Sequence, residues 1–202
     1  MSDTRVKALK AHIASLEARI ERLSRLAYVD ERTGIYTWRA LRDWGARELA
    51  RARLYGRPLG LVLLHVHGWR EINEVYGAAC GEELITALAE LCDTLTRPVD
   101  VVALVEADTL AVLLPEQVTP QVFEVAAHLV DRIHVSTFLT WFGELHITVC
   151  AGMAEWHPAD GGAPRDFAEL VARASRALER AHTRGEGYVV AWSRDDAIGG
   201  EG

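Results

Sequence analysis

Between residues 5 and 27, apolar side chains fall at Val6, Leu9, Ile13, Leu16, Ile20, Leu23 and Ala27, in steps that alternate three and four. That spacing predicts a coiled-coil seam about three heptads long, and β-branched residues alternating with Leu favour a parallel two-stranded coil. A single amphipathic helix packed on its own domain fits the same steps. However, Lys7, Lys10, Glu17 and Arg19 cover the other sides and leave a seam narrower than a core-facing stripe. Residues 5–27 are therefore read as a homodimerising helix.

After a turn at Asp30–Gly34, the pattern predicts a helix over 37–54 with Trp38, Leu41, Gly45, Leu49 and Ala52 inward, stopped by Gly56-Arg57-Pro58. Residues 59–66, LGLVLLHV, are apolar on both faces and predict a central strand. A short helical turn follows at 67–77, then a helix over 82–95 with Leu84, Ala87, Leu88, Leu91 and Leu95 on one side. Strands 101–105 and 110–114 flank the polar turn Glu106-Ala107-Asp108-Thr109, a β-hairpin pattern. Thr119-Pro120 reads as an N-cap and first-turn pair for a helix carrying Val122, Val125, Leu129 and Ile133. A small edge hairpin is expected within 135–145, and a strand over 146–156. Asp166 caps a helix that Gly185 closes, and 188–192 is the last strand. Five strands, one antiparallel hairpin and intervening helices make an α+β class chain, an α/β sandwich with a mixed five-stranded sheet flanked by helices. The expected divisions are a coiled-coil helix at 1–27, one domain at 28–192 and a polar tail at 193–202.

Composition narrows the function classes. The chain has 202 residues, half of them apolar, and a net charge of −7 with no basic run. Nucleic acid and anionic membrane surfaces therefore have no electrostatic hold on it. No apolar run approaches the roughly 20 residues that span a bilayer, and the N-terminus shows no leader pattern, so a cytoplasmic location is expected. Cys80, Cys92 and Cys150 are odd in number, lack C-x-x-C spacing and sit among apolar residues, which favours buried thiols over disulfides or zinc.

From LAYVDERTG to YVVAW, about residues 26–192, the chain resembles the GGDEF domain of diguanylate cyclases. The matching pieces are the Asp30-x-x-Thr33-Gly34 turn, and Gly68, Ile72, Asn73, Tyr76 and Gly77 after the first strand. The strand pair ending AVLLP, the strand TVCAGMA and the A-x-x-AL-x-x-A-x-x-x-G spacing of the final helix complete the set. The resemblance implies a nucleotidyl-cyclase-like fold whose signature turn lies beside the end of the first strand. Two GTP-loaded domains of the family meet there to form cyclic di-GMP.

The departures bear on activity. Where the family turn reads GG[D/E]EF, this chain reads Glu106-Ala107-Asp108-Thr109-Leu110, keeping only Asp108 at the metal-binding third position. Glycines there let the backbone approach a triphosphate without a Cβ in the way. Glu106 instead brings a carboxylate towards the phosphates, and like charges about 4 Å apart repel by roughly 4 kcal/mol near a protein surface. The family's D-x-D is His65-Val66-His67, and imidazole suits Mg²⁺ poorly. The family's phosphate-contacting Lys and Arg are matched by His182 and Glu186. The chain is accordingly expected to have no catalytic residues, no resident cofactor and no cyclase activity.

Three binding readings follow. Arg97 and Asp100 form an R-x-x-D five residues ahead of the turn, the spacing of the family's inhibitory cyclic di-GMP site. Arg presents a fork to phosphate or guanine, and Asp accepts from guanine N–H groups. Alternatively, this Arg and Asp simply pair with each other at a helix-to-strand corner. Asn73, Glu82 and Arg70, with Asp108, mark a residual nucleotide pocket by resemblance, although Asn73 can equally bond its own helix. Finally, His65 and His67 lie two apart on a strand and so face one way, and Asp108 is expected close by. Two imidazoles and a carboxylate suit Zn²⁺ or another transition metal, while either His can instead bond backbone or solvent. The leading function is an inactive GGDEF-like signalling module, dimerised by its N-terminal helix, that binds cyclic di-GMP. A ligand-free scaffold and a working diguanylate cyclase are the alternatives, and no protein partner is legible.

Overall fold

The computed structural model describes residues 12–13, 28–159 and 163–193. The expected coiled coil at 5–27 lies outside the described residues, apart from His12 and Ile13, which are helical and exposed. The tail beyond Ser193 also lies outside them.

The elements run β1 (Tyr36–Thr37), α1 (Trp38–Tyr55), β2 (Leu59–Val66), α2 (Trp69–Tyr76), α3 (Ala78–Leu95), β3 (Val101–Glu106) and β4 (Thr109–Pro115). Then come α4 (Thr119–Val135), β5 (Phe138–Thr140), β6 (Gly143–Leu145), β7 (Val149–Trp156), α5 (Phe167–Arg184) and β8 (Val189–Ala191). Strands β1-β3-β4-β2-β7-β8 form one mixed sheet of 6 strands, and β5-β6 form a separate hairpin. The expected α+β sandwich holds, with one strand more than the five read from the pattern. The extra strand is β1, only 2 residues long, pairing parallel to Ala103 and Leu104. Two residues are too few to carry a period, and the second of them, Thr37, is also the N-cap of α1, accepting from the Ala40 amide.

Binary patterning explains the layers. Along β2, Val62, Leu64 and Val66 join one core with Leu84, Leu88, Val122, Leu129 and Ile133 from α3 and α4. Leu59, Leu61 and Leu63 join the other with Leu41, Leu49, Phe167 and Leu170 from α1 and α5. A strand apolar on both faces is thus central, with helices on each side, as the unbroken apolar run predicts. At Gly152 of β7, a Cβ would overlap the backbone nitrogen of Leu178, so α5 lies directly on the strand. That close approach fixes where α5 ends relative to β2.

Several boundaries move. Helix α3 starts at Ala78 rather than Glu82, because Gly77 (φ 85, ψ 156) breaks the chain just before it. Thr119 is the first residue of α4 and Val118 the N-cap, with the Gln121 side chain accepting from the Val118 amide at 3.2 Å. Strand β7 starts at Val149 rather than His146. Asp166 caps α5 through the Glu169 amide, and Gly185 (φ 112) closes it, as expected. The three cysteines are buried and unbridged, and burial pushes the Cys92 thiol up to about 12 and the Cys150 thiol to about 11. Among the described residues, no helix is long and apolar enough to cross a membrane.

Candidate functional site

The hairpin β3–β4 carries a candidate site at each end. Six residues of strand separate the ends, about 17 Å at the rise of an extended chain. At the tip, a register shift after Leu104 lets Glu106 pair with Thr109, leaving Ala107 and Asp108 as the loop. The Val66 amide donates to the Asp108 carbonyl at 3.0 Å, tying the tip to the end of β2. The Thr109 hydroxyl donates to Asp108 Oδ1 at 2.9 Å.

Beside that tip stand three imidazoles. His65 Nδ1 lies 3.7 Å from Asp108 Oδ1 and 3.3 Å from Thr109 Oγ1. Its ring centre is 6.2 Å from that of His67 and 5.4 Å from that of His182 near the end of α5. The His67 and His182 rings lie 5.1 Å apart and nearly parallel. Burial lowers the His65 pKa below its ordinary value, Asp108 opposes that, and the imidazoles of His182 and His67 add to it. His67 Nε2 is buried without a hydrogen-bond partner. The expected His65, His67 and Asp108 grouping is therefore assembled, and His182 joins it from an element 115 positions further on than His67. Among the described residues, no group of three or more His, Cys, Asp or Glu side chains is placed so that it could hold a metal ion.

At the other end, Arg97 and Asp100 close on each other. Asp100 Oδ2 accepts from the Arg97 amide at 2.8 Å and from Nε at 3.1 Å, while Oδ1 accepts from Nη2 at 2.7 Å. The Asp100 side chain is only 1% exposed, against 45% for Arg97. Nη2 also donates to the Pro115 carbonyl at 2.9 Å, and the Gln117 amide oxygen, turned towards the guanidinium, accepts at 3.0 Å. Hydrogen bonding to Asp100 raises the Arg97 pKa further, so the guanidinium is always charged. Pairing across a corner, one of the two sequence readings, is what the structure shows. Pro115 and Gln117 were not foreseen as partners, although their place directly after AVLLP puts them at the open end of the hairpin.

The residual nucleotide residues are more scattered. Asn73 Nδ2 donates to the Trp69 carbonyl at 2.9 Å, within its own helix. Gly81 sits against the Asn73 side chain so closely that a Cβ would overlap Oδ1. Glu82 is exposed and lies 3.5 Å from Arg32 of the Asp30–Gly34 turn. Arg70 is exposed on α2. Asp108 stands with the imidazoles instead of with these residues.

The profile described as "Diguanylate cyclase, GGDEF domain" matches residues 27–187. Among curated proteins, diguanylate cyclase DosC of Escherichia coli (strain K12) is 26% identical over 149 residues, covering 72% of this chain and 31% of DosC. A diguanylate cyclase of Vibrio cholerae serotype O1 is 25% identical over 165 residues, covering 82% of this chain and 50% of the relative. The chain thus spans between 31% and 50% of the length of these relatives. Among solved structures, the coiled coil and GGDEF domain of DgcB from Caulobacter crescentus, in complex with c-di-GMP, superposes with a TM-score of 0.83 at 21% identity. That match covers 94% of this chain and 98% of the DgcB chain.

Proposed function

The chain belongs to the GGDEF domain family, and from that premise we propose that it is a catalytically inactive member, a cytoplasmic signalling module that binds cyclic di-GMP through Arg97 and Asp100 and dimerises through residues 5–27. One observation carries the loss of catalysis: His65, His67 and His182 cluster beside the EADTL turn, where metal and triphosphate would have to sit. Phosphoryl transfer depends almost wholly on positioning and on cations that neutralise phosphate charge. The residues present do not fit Mg²⁺, which takes oxygen ligands in tight octahedral geometry. Here nitrogen donors crowd the position, and His67 Nε2 is buried unpartnered among them. Glu106 adds a negative charge on the same tip.

The ligand reading is supported by placement. Arg97 and Asp100 stand at the start of the hairpin, held by Pro115 and Gln117, and the guanidinium is nearly half exposed. A phosphate or guanine edge would compete for that outer face, and the exchange with Asp100 lowers the affinity that a free fork would have. The DgcB chain was crystallised with this dinucleotide and shares the fold. Dimerisation rests on the three-four apolar seam at 5–27. The cytoplasmic assignment rests on three buried, unbridged thiols.

The closed Arg97–Asp100 pair equally favours one rival, a ligand-free scaffold. Titration calorimetry with cyclic di-GMP on the whole chain and on Arg97→Ala separates them. Saturable heat in the wild type, at least tenfold weaker in the variant, is expected. No heat in the wild type leaves the scaffold, and equal heat in both removes Arg97 from the site.

A further inference from the structure

Beyond the dinucleotide reading, and independent of it, lies the chemistry of the three imidazoles. We propose that His65, His67 and His182 together bind one Zn²⁺-class transition-metal ion, with Asp108 beside them as the fourth ligand.

Spacing is the first argument. A Zn–N bond of about 2.0–2.1 Å places an imidazole centre about 3.2 Å from the ion, so tetrahedral ligands hold their ring centres about 5 Å apart. The ring centres here are 5.1, 5.4 and 6.2 Å apart. The backbone already delivers the three rings at nearly the separation of a bound triplet. What remains is ring rotation, because His67 and His182 lie parallel at 10° and their nitrogens do not converge. Turning an imidazole about its broad χ2 torsion is a small change beside moving an element.

Rigidity is the second argument. His65 lies on β2, a central strand paired on both sides, to β4 and to β7, and His67 follows directly after its end, where its amide donates to the Thr148 carbonyl at 2.9 Å. His182 rides on α5, whose height over β7 is set by the backbone contact at Gly152. Two ligands on regular elements, with the third tied by its backbone to the end of one of them, are held more tightly than three on loops.

The third argument is the orphan nitrogen. A buried ring nitrogen with no partner loses its hydration without compensation, and such groups in native chains call for a reason. A metal supplies one for His67 Nε2. Asp108, 3.7 Å from His65 Nδ1, completes three nitrogens and one oxygen, a donor set that suits zinc and rejects magnesium.

The test uses the whole chain, stripped with chelator and titrated with Co²⁺ as an absorbing substitute for zinc. One equivalent should bind with the intense visible bands of four-coordinate cobalt, and Zn²⁺ should displace it. His182→Ala, an exposed helix position, and His65→Gln should each weaken uptake at least tenfold while circular dichroism stays unchanged. His128→Ala, on the exposed side of α4, should leave it alone. Uptake well below one equivalent, six-coordinate cobalt bands, or undiminished affinity in folded His182→Ala would each overturn the site. None of these outcomes bears on binding of cyclic di-GMP.

Discussion

Asp100 hands both of its carboxylate oxygens to Arg97, at 2.7 Å from Nη2 and 2.8 Å from the Arg97 backbone amide. The pair is asymmetric: the acid is buried and the base half exposed. The corner is therefore a structural clasp as well as a ligand candidate. Any dinucleotide must draw the guanidinium outward while the amide keeps hold of Asp100.

Arg97→Ala removes the side-chain donors but leaves the backbone amide. A buried carboxylate losing donors costs about 1–3 kcal/mol. Urea unfolding should show a loss in that range. A midpoint equal to wild type would mean that water replaces the guanidinium at no cost and that the clasp is not structural.

Gly152→Ala tests how α5 is seated. The added methyl overlaps the Leu178 backbone, which cannot rotate away. Overpacking typically costs about 1–3 kcal/mol, and collision with backbone belongs at the upper end. Denaturant midpoints should fall accordingly, and an unchanged midpoint would contradict the close approach.

Glu169 ties the start of α5 to its own second turn. It accepts from the Arg165 amide at 2.7 Å and from Arg173 Nη2 at 2.7 Å, and Arg173 in turn lies 4.3 Å over the Trp192 ring. The Arg165 amide first, then Arg173, holds the carboxyl at about 2, below its ordinary 4.5. A depressed carboxyl stabilises the fold above its unfolded pKa and stops doing so as pH falls through the folded one. Glu169→Gln should therefore be less stable than wild type at neutral pH, and the gap should close between about pH 5 and pH 2. A gap constant with pH would remove the carboxylate from the explanation.

The central strand was legible to the residue, Leu59–Val66, because burial on both faces leaves an unbroken apolar run ended by His67 and Gly68. Asp166 and Gly185 were legible as the ends of α5 because capping chemistry is local. Strand β1 was not, since two residues carry no period. Val118 was missed as the N-cap of α4 because its side chain has no acceptor, while Thr119 beside Pro120 imitates one. Of the candidate sites, R-x-x-D was visible as a spacing with self-pairing as one of its readings, but the further acceptors of Arg97, at Pro115 and Gln117, come from the other strand's end and were not. His182 stood out only as the residue at a phosphate-contacting position. Its place among His65 and His67 comes from α5 crossing β7, a tertiary fact that no local window holds.

Restoring the turn alone should not revive catalysis. Glu106→Gly with Ala107→Gly clears the backbone approach but leaves His65, His67 and His182 clustered beside the turn. The double variant, incubated with GTP and Mg²⁺, should still yield no cyclic di-GMP. Product from it would place the whole defect in the two lost glycines.

The most direct measurement is turnover by the wild-type chain itself. Purified protein, incubated with GTP and either Mg²⁺ or Mn²⁺, is assayed for cyclic di-GMP by chromatography. No product above a protein-free blank is expected on the proposal that the imidazole cluster and the acidic turn stand where the family holds metal and phosphate. Multiple turnovers of GTP into the cyclic dinucleotide would contradict that reading outright.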